Sequence, residues 1–210
     1  MLALAIGIIV TGLILLVNEE LSRKQIISKE LARKIPHIAL AVAFAIMPFY
    51  IGLHKLALLA LIDIFVALLA TKFNWFAHSR AVDRLTWGEY FFLTGSILAA
   101  LTANSNWIFV AAMLTLGLAD AAAALVGIKY GKHAYKILGS TKTIEGTLAF
   151  IIVANIITSL VIFVAPSGLS PSWLVVVLLP LFGGMVEAVM PYGLDNLALP
   201  LLVVVILNLL

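Results

Sequence analysis

The sequence predicts an all-α, polytopic membrane bundle of about eight transmembrane helices with both termini on the non-cytoplasmic side. Three observations carry that expectation. Of 210 residues, 64% are hydrophobic and 11% charged, whereas a soluble domain is about half apolar and a quarter charged. Apolar stretches near the roughly 20 residues needed to cross a hydrocarbon core recur along the chain. Basic residues gather in every second connection between those stretches. No Gly/Ser/Pro-rich or charged linker divides the chain, so residues 1–210 read as a single transmembrane domain.

The first segment, residues 1–18, has no basic stretch ahead of it and no small-residue cleavage site after it, so it is expected to be retained as a helix and not removed as a signal peptide. Connection 19–35 is polar and has helical character. Glu30 and Lys34 stand at i,i+4, and Ile26, Ile27 and Leu31 form an apolar stripe suited to a membrane surface. The second helix is expected at 36–53, with Pro36 in its first turn. Further helices follow at 55–71, 88–103 and 107–128. After the lysine-rich connection 129–145 come 146–165, 173–190 and 197–210, the last short enough to be tilted, to have the bilayer thinned around it, or to be extended by Leu194–Asn196. The outer connections 50–54, 104–106 and 166–172 are minimal, the third carrying a proline and glycine turn sequence.

Twelve of the 13 Lys and Arg residues fall in connections 19–35, 72–87 and 129–145, and only Lys55 falls on the other side. Cytoplasmic loops of membrane proteins carry the excess of Lys and Arg, so these three connections are expected to face the cytoplasm. The net charge of +3 is explained by this topology, and no nucleic-acid partner is expected. The absence of cysteine excludes disulfides, a thiolate nucleophile and a Cys-based metal site.

Ionised side chains inside a bilayer cost at least about 2.5–3.5 kcal/mol, so they face an interior, a partner or water. Asp63, Asp120 and Glu187 are such residues, and Asp120 lies about 12 Å before the cytoplasmic end of its helix at ~1.5 Å per residue. With Glu89, Glu145 and Asp195, six carboxylates are expected near the cytoplasmic face. Asp120, Ala123, Ala124, Gly127 and Gly131 share one helix face, where a neighbouring backbone or a ligand approaches closely. Lys129, Lys132, Lys136 and Lys142 follow, interleaved with Gly139, Ser140 and Thr141 and ending at Glu145-Gly146. Glycine lets backbone N–H groups turn toward an anion, and lysine supplies mobile point charge, so this stretch reads as a phosphate site. It is not a Walker A loop, because the required spacing occurs nowhere in the chain. Two more clusters belong with it: Arg33-Lys34-Ile35-Pro36-His37, and Glu187 followed by Asp195-Asn196.

These pieces resemble the CTP-dependent polyprenol kinase family, which includes dolichol, phytol, farnesol and geranylgeraniol kinases and the CTP-dependent diacylglycerol kinases. The matching residues are Glu30-Leu-Ala-Arg33-Lys34-Ile-Pro-His37, Arg84-Leu-Thr-Trp-Gly88-Glu89, Asp120 through Gly127 to Gly131, Lys142-Thr-Ile-Glu145-Gly146, and Glu187 followed by Asp195-Asn196-Leu-Ala-Leu-Pro200. They stand in the family's order from residue 30 to 200. The Asp120–Gly146 part is also similar to phosphatidate cytidylyltransferases. The pieces around His37 and Asp195-Asn196 favour the kinases.

The resemblance implies CTP as co-substrate, Mg²⁺ or another divalent cation, and a membrane lipid alcohol as acceptor. Asp120 and Asp195 are expected to hold the cation, with Asn196 and Glu187 beside them. Lys132, Lys136 and Lys142 would bind the triphosphate, with Gly127, Gly131 and Gly146 shaping the loop. Arg33 and Lys34 would approach it from the second helix. His37 would orient a phosphate or accept the alcohol's proton, and Glu145 would bind metal or orient a lysine. An ion-coupled transporter or scramblase is the alternative from another class, disfavoured because the charges concentrate on one side. The sequence is compatible with a homo-oligomer and with a prokaryotic plasma membrane.

Overall fold

The structure, a computed structural model, describes residues 2–79, 87–166 and 173–209. Arg80, Arg84 and most of the expected 166–172 turn lie outside the described residues. Helices are α1 (Leu2–Arg23), α2 (Lys29–Ile46), α3 (Pro48–Ile51), α4 (Leu53–Lys72), α5 (Gly88–Thr102), α6 (Asn106–Leu114), α7 (Asp120–Tyr130), α8 (Ile144–Val164), α9 (Trp173–Val189) and α10 (Asp195–Asn208). A π-helical turn, Thr115–Ala119, joins α6 to α7 without a break in direction of the chain's helical run. Among the described residues, five helical runs are long and apolar enough to cross a membrane: Leu2–Arg23, Lys29–Ile51, Leu53–Lys72, Asn106–Tyr130 and Ile144–Val164. The shorter helices α9 and α10 are also apolar.

Among the described residues the bundle departs from an all-α protein at one place. The connection after α7 is an antiparallel hairpin, β1 (Ala134–Ile137) paired with β2 (Ser140–Thr143), with Lys136 opposite Thr141 and Tyr135 opposite Lys142. Leu138 and Gly139 both have positive φ, the backbone that a tight reversal requires.

The second helix begins seven residues earlier than its expected start at Pro36. The Oγ of Ser28 accepts the Leu31 N–H and caps the helix, and Glu30 sits in the first turn, where the helix dipole favours an acid. Pro36 therefore lies inside α2, where it has no N–H to give the carbonyl of Ala32. Asn18 of α1 supplies the missing donor, its Nδ2 lying 2.9 Å from that oxygen. The same arrangement recurs in α9: Pro180 leaves the carbonyl of Val176 without its helical donor, and Asn155 of α8 donates to it at 2.8 Å. In α10, Pro200 frees the carbonyl of Asn196, and a Cβ on Gly95 would meet that oxygen at 2.6 Å. Only glycine fits there.

The central element is the run from α6 through the π turn to α7. Ile108 through Met113 are buried, as are Leu116, Ala119, Asp120 and Ala121. Around it pack Phe44 of α2, Phe150 of α8 and Leu199, Val203 and Val204 of α10. Gly117 in the π turn lets α2 come close, since a Cβ there would lie 2.3 Å from the Cβ of Ala41. That approach carries Lys34 and His37 to Asp120.

Candidate active site

Three carboxylates from three separate helices meet at the end of the bundle where the hairpin sits. Asp120 comes from α7, Glu187 from the last turn of α9 and Asp195 from the first turn of α10. All three are buried, and one oxygen of each lies within 4.8 Å of the others. Such a group is unstable without positive charge, because like charges in a low dielectric repel strongly.

Two lysines provide it. Lys34 of α2 is 4% exposed and donates to Asp120 Oδ2 at 2.6 Å. Lys142 of β2 donates to Glu187 Oε1 and lies 4.0 Å from Asp195 Oδ2. Burial by itself lowers the pKa of the Lys142 ammonium, but Glu187, with Asp195 and Asp120 behind it, outweighs that and raises it above the ordinary lysine value. Three formal negative charges thus face two ammonium groups. The hard oxygen donors, their mutual distance and the remaining negative charge fit a divalent cation such as Mg²⁺.

His37 joins the site through its Nε2, which is 3.1 Å from the carbonyl of Leu116 and 3.4 Å from Asp120 Oδ2. A carbonyl only accepts, so Nε2 carries the hydrogen and donates. In this arrangement that nitrogen is not a proton acceptor. The ring packs edge-on against Phe92, with centroids 5.2 Å apart.

Other residues singled out from the sequence are placed elsewhere. Arg33 is paired with Glu30 on the outer side of α2, so only Lys34 of the adjacent pair turns inward. Glu145 is engaged at the base of the hairpin: it accepts from His133 Nδ1 at 2.6 Å and from the His133 N–H at 3.3 Å. That pair fastens the start of β1 to the start of α8. Lys132 and Lys136 are exposed. Side chains alternate along a strand, so Lys136, opposite Thr141, faces away from the side that Lys142 presents to the carboxylates. The Asn196 Nδ2 donates to the Gly88 carbonyl at the start of α5 at 3.0 Å, while its backbone N–H contacts Asp195 Oδ1 at 3.1 Å.

The glycines of this stretch let neighbouring groups approach closely. A Cβ on Gly127 would lie 2.8 Å from Thr143 Oγ1, and one on Gly146 would lie 2.7 Å from the Ala123 carbonyl. Their small face on α7 receives the end of β2 and the start of α8. The N–H of Gly146 caps onto Thr143 Oγ1 at 3.1 Å, and the N–H of Gly131 bonds to the Gly127 carbonyl. Of the six carboxylates expected together, Asp63 is held apart between α1 and α4, where Thr11 donates to it at 3.2 Å. Sequence reading missed the His133–Glu145 pair, the direct Lys34–Asp120 contact and the π turn. The first had a local signal, a histidine and an acid flanking a Gly-containing lysine loop; the other two depend on tertiary packing.

Among known proteins the chain is similar to a phytol kinase of Synechocystis sp., with 28% identity over 210 aligned positions that span 94% of this chain and 88% of that protein. That similarity supports the polyprenol and phytol kinase family. No family model matches the chain, and no solved structure matches it.

Proposed function

We propose that the protein is a CTP-dependent kinase that transfers the γ-phosphoryl group of the nucleotide to the hydroxyl of a membrane lipid alcohol at the cytoplasmic face. The observation that carries this reading is the buried Asp120–Glu187–Asp195 group held by Lys34 and Lys142, in a chain similar to a phytol kinase along 94% of its length. Support for CTP comes from the resemblance of the Asp120–Gly146 stretch to CTP-using enzymes, and support for the cytoplasmic face from the placement of the basic connections.

Asp120, Glu187 and Asp195 would hold the divalent cation, which when bound neutralises charge on the phosphoryl oxygens. Phosphoryl transfer demands positioning and charge stabilisation more than covalent chemistry from the protein. Lys34 fixes Asp120 and Lys142 fixes Glu187, with Asp195 beside it, and each ammonium has further N–H groups to offer phosphoryl oxygens. Lys132 and the other exposed lysines of the hairpin region supply a positive field that draws the nucleotide in. His37, engaged as a donor, orients Asp120 and ties α2 to the π turn. In the transfer the bond from the β–γ bridging oxygen to the γ-phosphorus breaks and a bond from the alcohol oxygen to that phosphorus forms, with release of the hydroxyl proton. The products are CDP and a lipid monophosphate.

The test is to incubate purified protein, Mg²⁺ and CTP labelled at the γ-phosphate with phytol, geranylgeraniol, longer polyprenols or diacylglycerol. Label is expected in an organic-extractable lipid phosphate. In a parallel incubation with phosphatidate as the acceptor, label released as pyrophosphate alongside a CDP-lipid, with no label in a lipid phosphate from any alcohol, would establish the cytidylyltransferase reading instead.

A further inference from the structure

We propose that an apolar hollow between α2 and α6 holds the hydrocarbon chain of the lipid alcohol, with the chain's hydroxyl end directed at Asp120. The proposal deepens the kinase reading and rests on it. The hollow has a volume of about 380 Å³ and is lined by Val42, Ala45, Ile46, Phe49, Val110 and Leu114, with Tyr50 at its exposed end the one lining side chain that carries a hydrogen-bonding group.

Its position relative to the site is set by the two helices that form it. α2 carries Lys34 and His37, and α6 runs through the π turn into Asp120. At ~1.5 Å per residue, Val42 lies about 7.5 Å along the helix from His37, and Leu114 about 9 Å from Asp120. Lys34, Ile38, Val42 and Ile46 form one i,i+4 row on α2, while Val110 and Leu114 are i,i+4 neighbours on α6 and Leu118 follows in the π turn. Ile38 and Leu118, which bridge the site to the hollow, are apolar and partly exposed. A continuous apolar path therefore leads from the buried carboxylates into the hollow.

The hollow opens sideways: Ile46 is 53% and Phe49 47% exposed, so a chain enters from the surrounding bilayer without leaving it. At the end away from the site Phe49 meets Trp107 edge-on, with centroids 5.2 Å apart. That aromatic pair limits how far a chain extends along the helices. Such a stop suits an isoprenoid-type chain lying along α2 and α6. A larger hollow of about 730 Å³ adjoins this one toward α1, sharing Val42, Ile46 and Tyr50 with it. α1 contributes none of the carboxylates or lysines of the site, so that hollow has no second wall leading to the chemistry.

The experiment uses the full-length protein in lipid nanodiscs and geranylgeraniol carrying a diazirine at the end remote from its hydroxyl. Illumination is expected to label Phe49, Val110 or Leu114, and labelling is expected to fall at least about tenfold when phytol is added but not when phytane, the same chain without a hydroxyl, is added. Label on Ala3 or Ala43 of the α1 side, or label that phytol does not compete, would overturn the proposal. In parallel, Leu114→Trp is expected to raise KM for geranylgeraniol at least about tenfold while KM for geraniol and for CTP changes less than about twofold. Ala43→Phe, which fills the other hollow, is expected to leave all three unchanged; the reverse pattern would also overturn it. Label in the α2–α6 hollow without turnover of any alcohol would remove the kinase reading and leave the hollow's occupant standing. Turnover with label elsewhere would do the opposite.

Discussion

Lys34 and Asp120 stand 86 residues apart in sequence and 2.6 Å apart in the folded chain. Breaking a buried ion pair by removing one partner costs about 3–5 kcal/mol, because it leaves the other charge uncompensated. Lys34→Met is therefore expected to lower the melting temperature of the detergent-solubilised protein, and adding Asp120→Asn to recover part of that loss. Equal losses for the single and double variants would show that the charge on Asp120 is not what Lys34 holds. By itself Asp120→Asn is expected to leave the protein folded and reduce phosphoryl transfer about 100-fold or more, the scale of losing one preorganised electrostatic group. Lys142 gives the pH counterpart. Its pKa is raised in the folded protein, so the stability it contributes is fully present below the ordinary lysine pKa of about 10.4 and is lost as pH rises through the raised value. A melting curve followed upward from neutral pH is expected to fall more steeply across that range for the native chain than for Lys142→Met. At this scale the sequence was informative about which residues are unusual: Asp120, Glu187 and Asp195 stand out because acids in apolar segments are costly. It was silent on pairing. Arg33 and Lys34 are neighbours of equal charge, and only the rotation of α2 decides that Lys34 turns inward.

At the scale of elements, the prolines inside α2 and α9 survive because an asparagine on a neighbouring helix takes over the donor each one lacks. In a bilayer the freed carbonyl has no water to turn to. Asn155→Leu is expected to destabilise the protein by about 1–3 kcal/mol, the cost of leaving a buried polar group unsatisfied. Pro180→Ala in the same chain is expected to restore most of it, since alanine returns the helical N–H to Val176. A double-mutant cycle on detergent-solubilised protein reads this directly; additive effects would show that the asparagine acts independently of the proline. Apolar runs marked the helices well, because spanning a membrane fixes their length. They misplaced the start of α2, since Pro36 was read as a beginning when Ser28 is the cap and Asn18 makes an interior proline tolerable. The hairpin was illegible for a different reason: only Tyr135 and Ile137 of β1 alternate with polar positions and β2 has no apolar residue, and the two short strands are fixed by Leu138-Gly139 and by the anchoring of both ends, through His133–Glu145 and Tyr135–Thr147.

For the whole molecule, the site and the hollow occupy successive levels of one bundle. The carboxylates and Lys142 sit where α7, α9 and α10 end or begin, and the aromatic pair Phe49–Trp107 sits where α3 and α6 do at the other end. A soluble nucleotide and an insoluble acceptor then meet only if the end with the carboxylates is the one exposed to the nucleotide pool. The hairpin lysines lie at that end, and the positive-inside tendency directs such connections to the cytoplasm. The opposite end carries Lys55 and the short turn before α6. Because the native chain has no cysteine, single cysteines report orientation without background. With Lys132→Cys and Asn104→Cys as separate variants in intact cells, a membrane-impermeant maleimide is expected to label position 104 from outside and position 132 only after the membrane is opened. Lys132 is exposed and outside the carboxylate group, and Asn104 lies in a connection, so neither change disturbs the packed core. The reverse labelling order would place the carboxylates on the side without nucleotide, and a kinase acting there would be untenable.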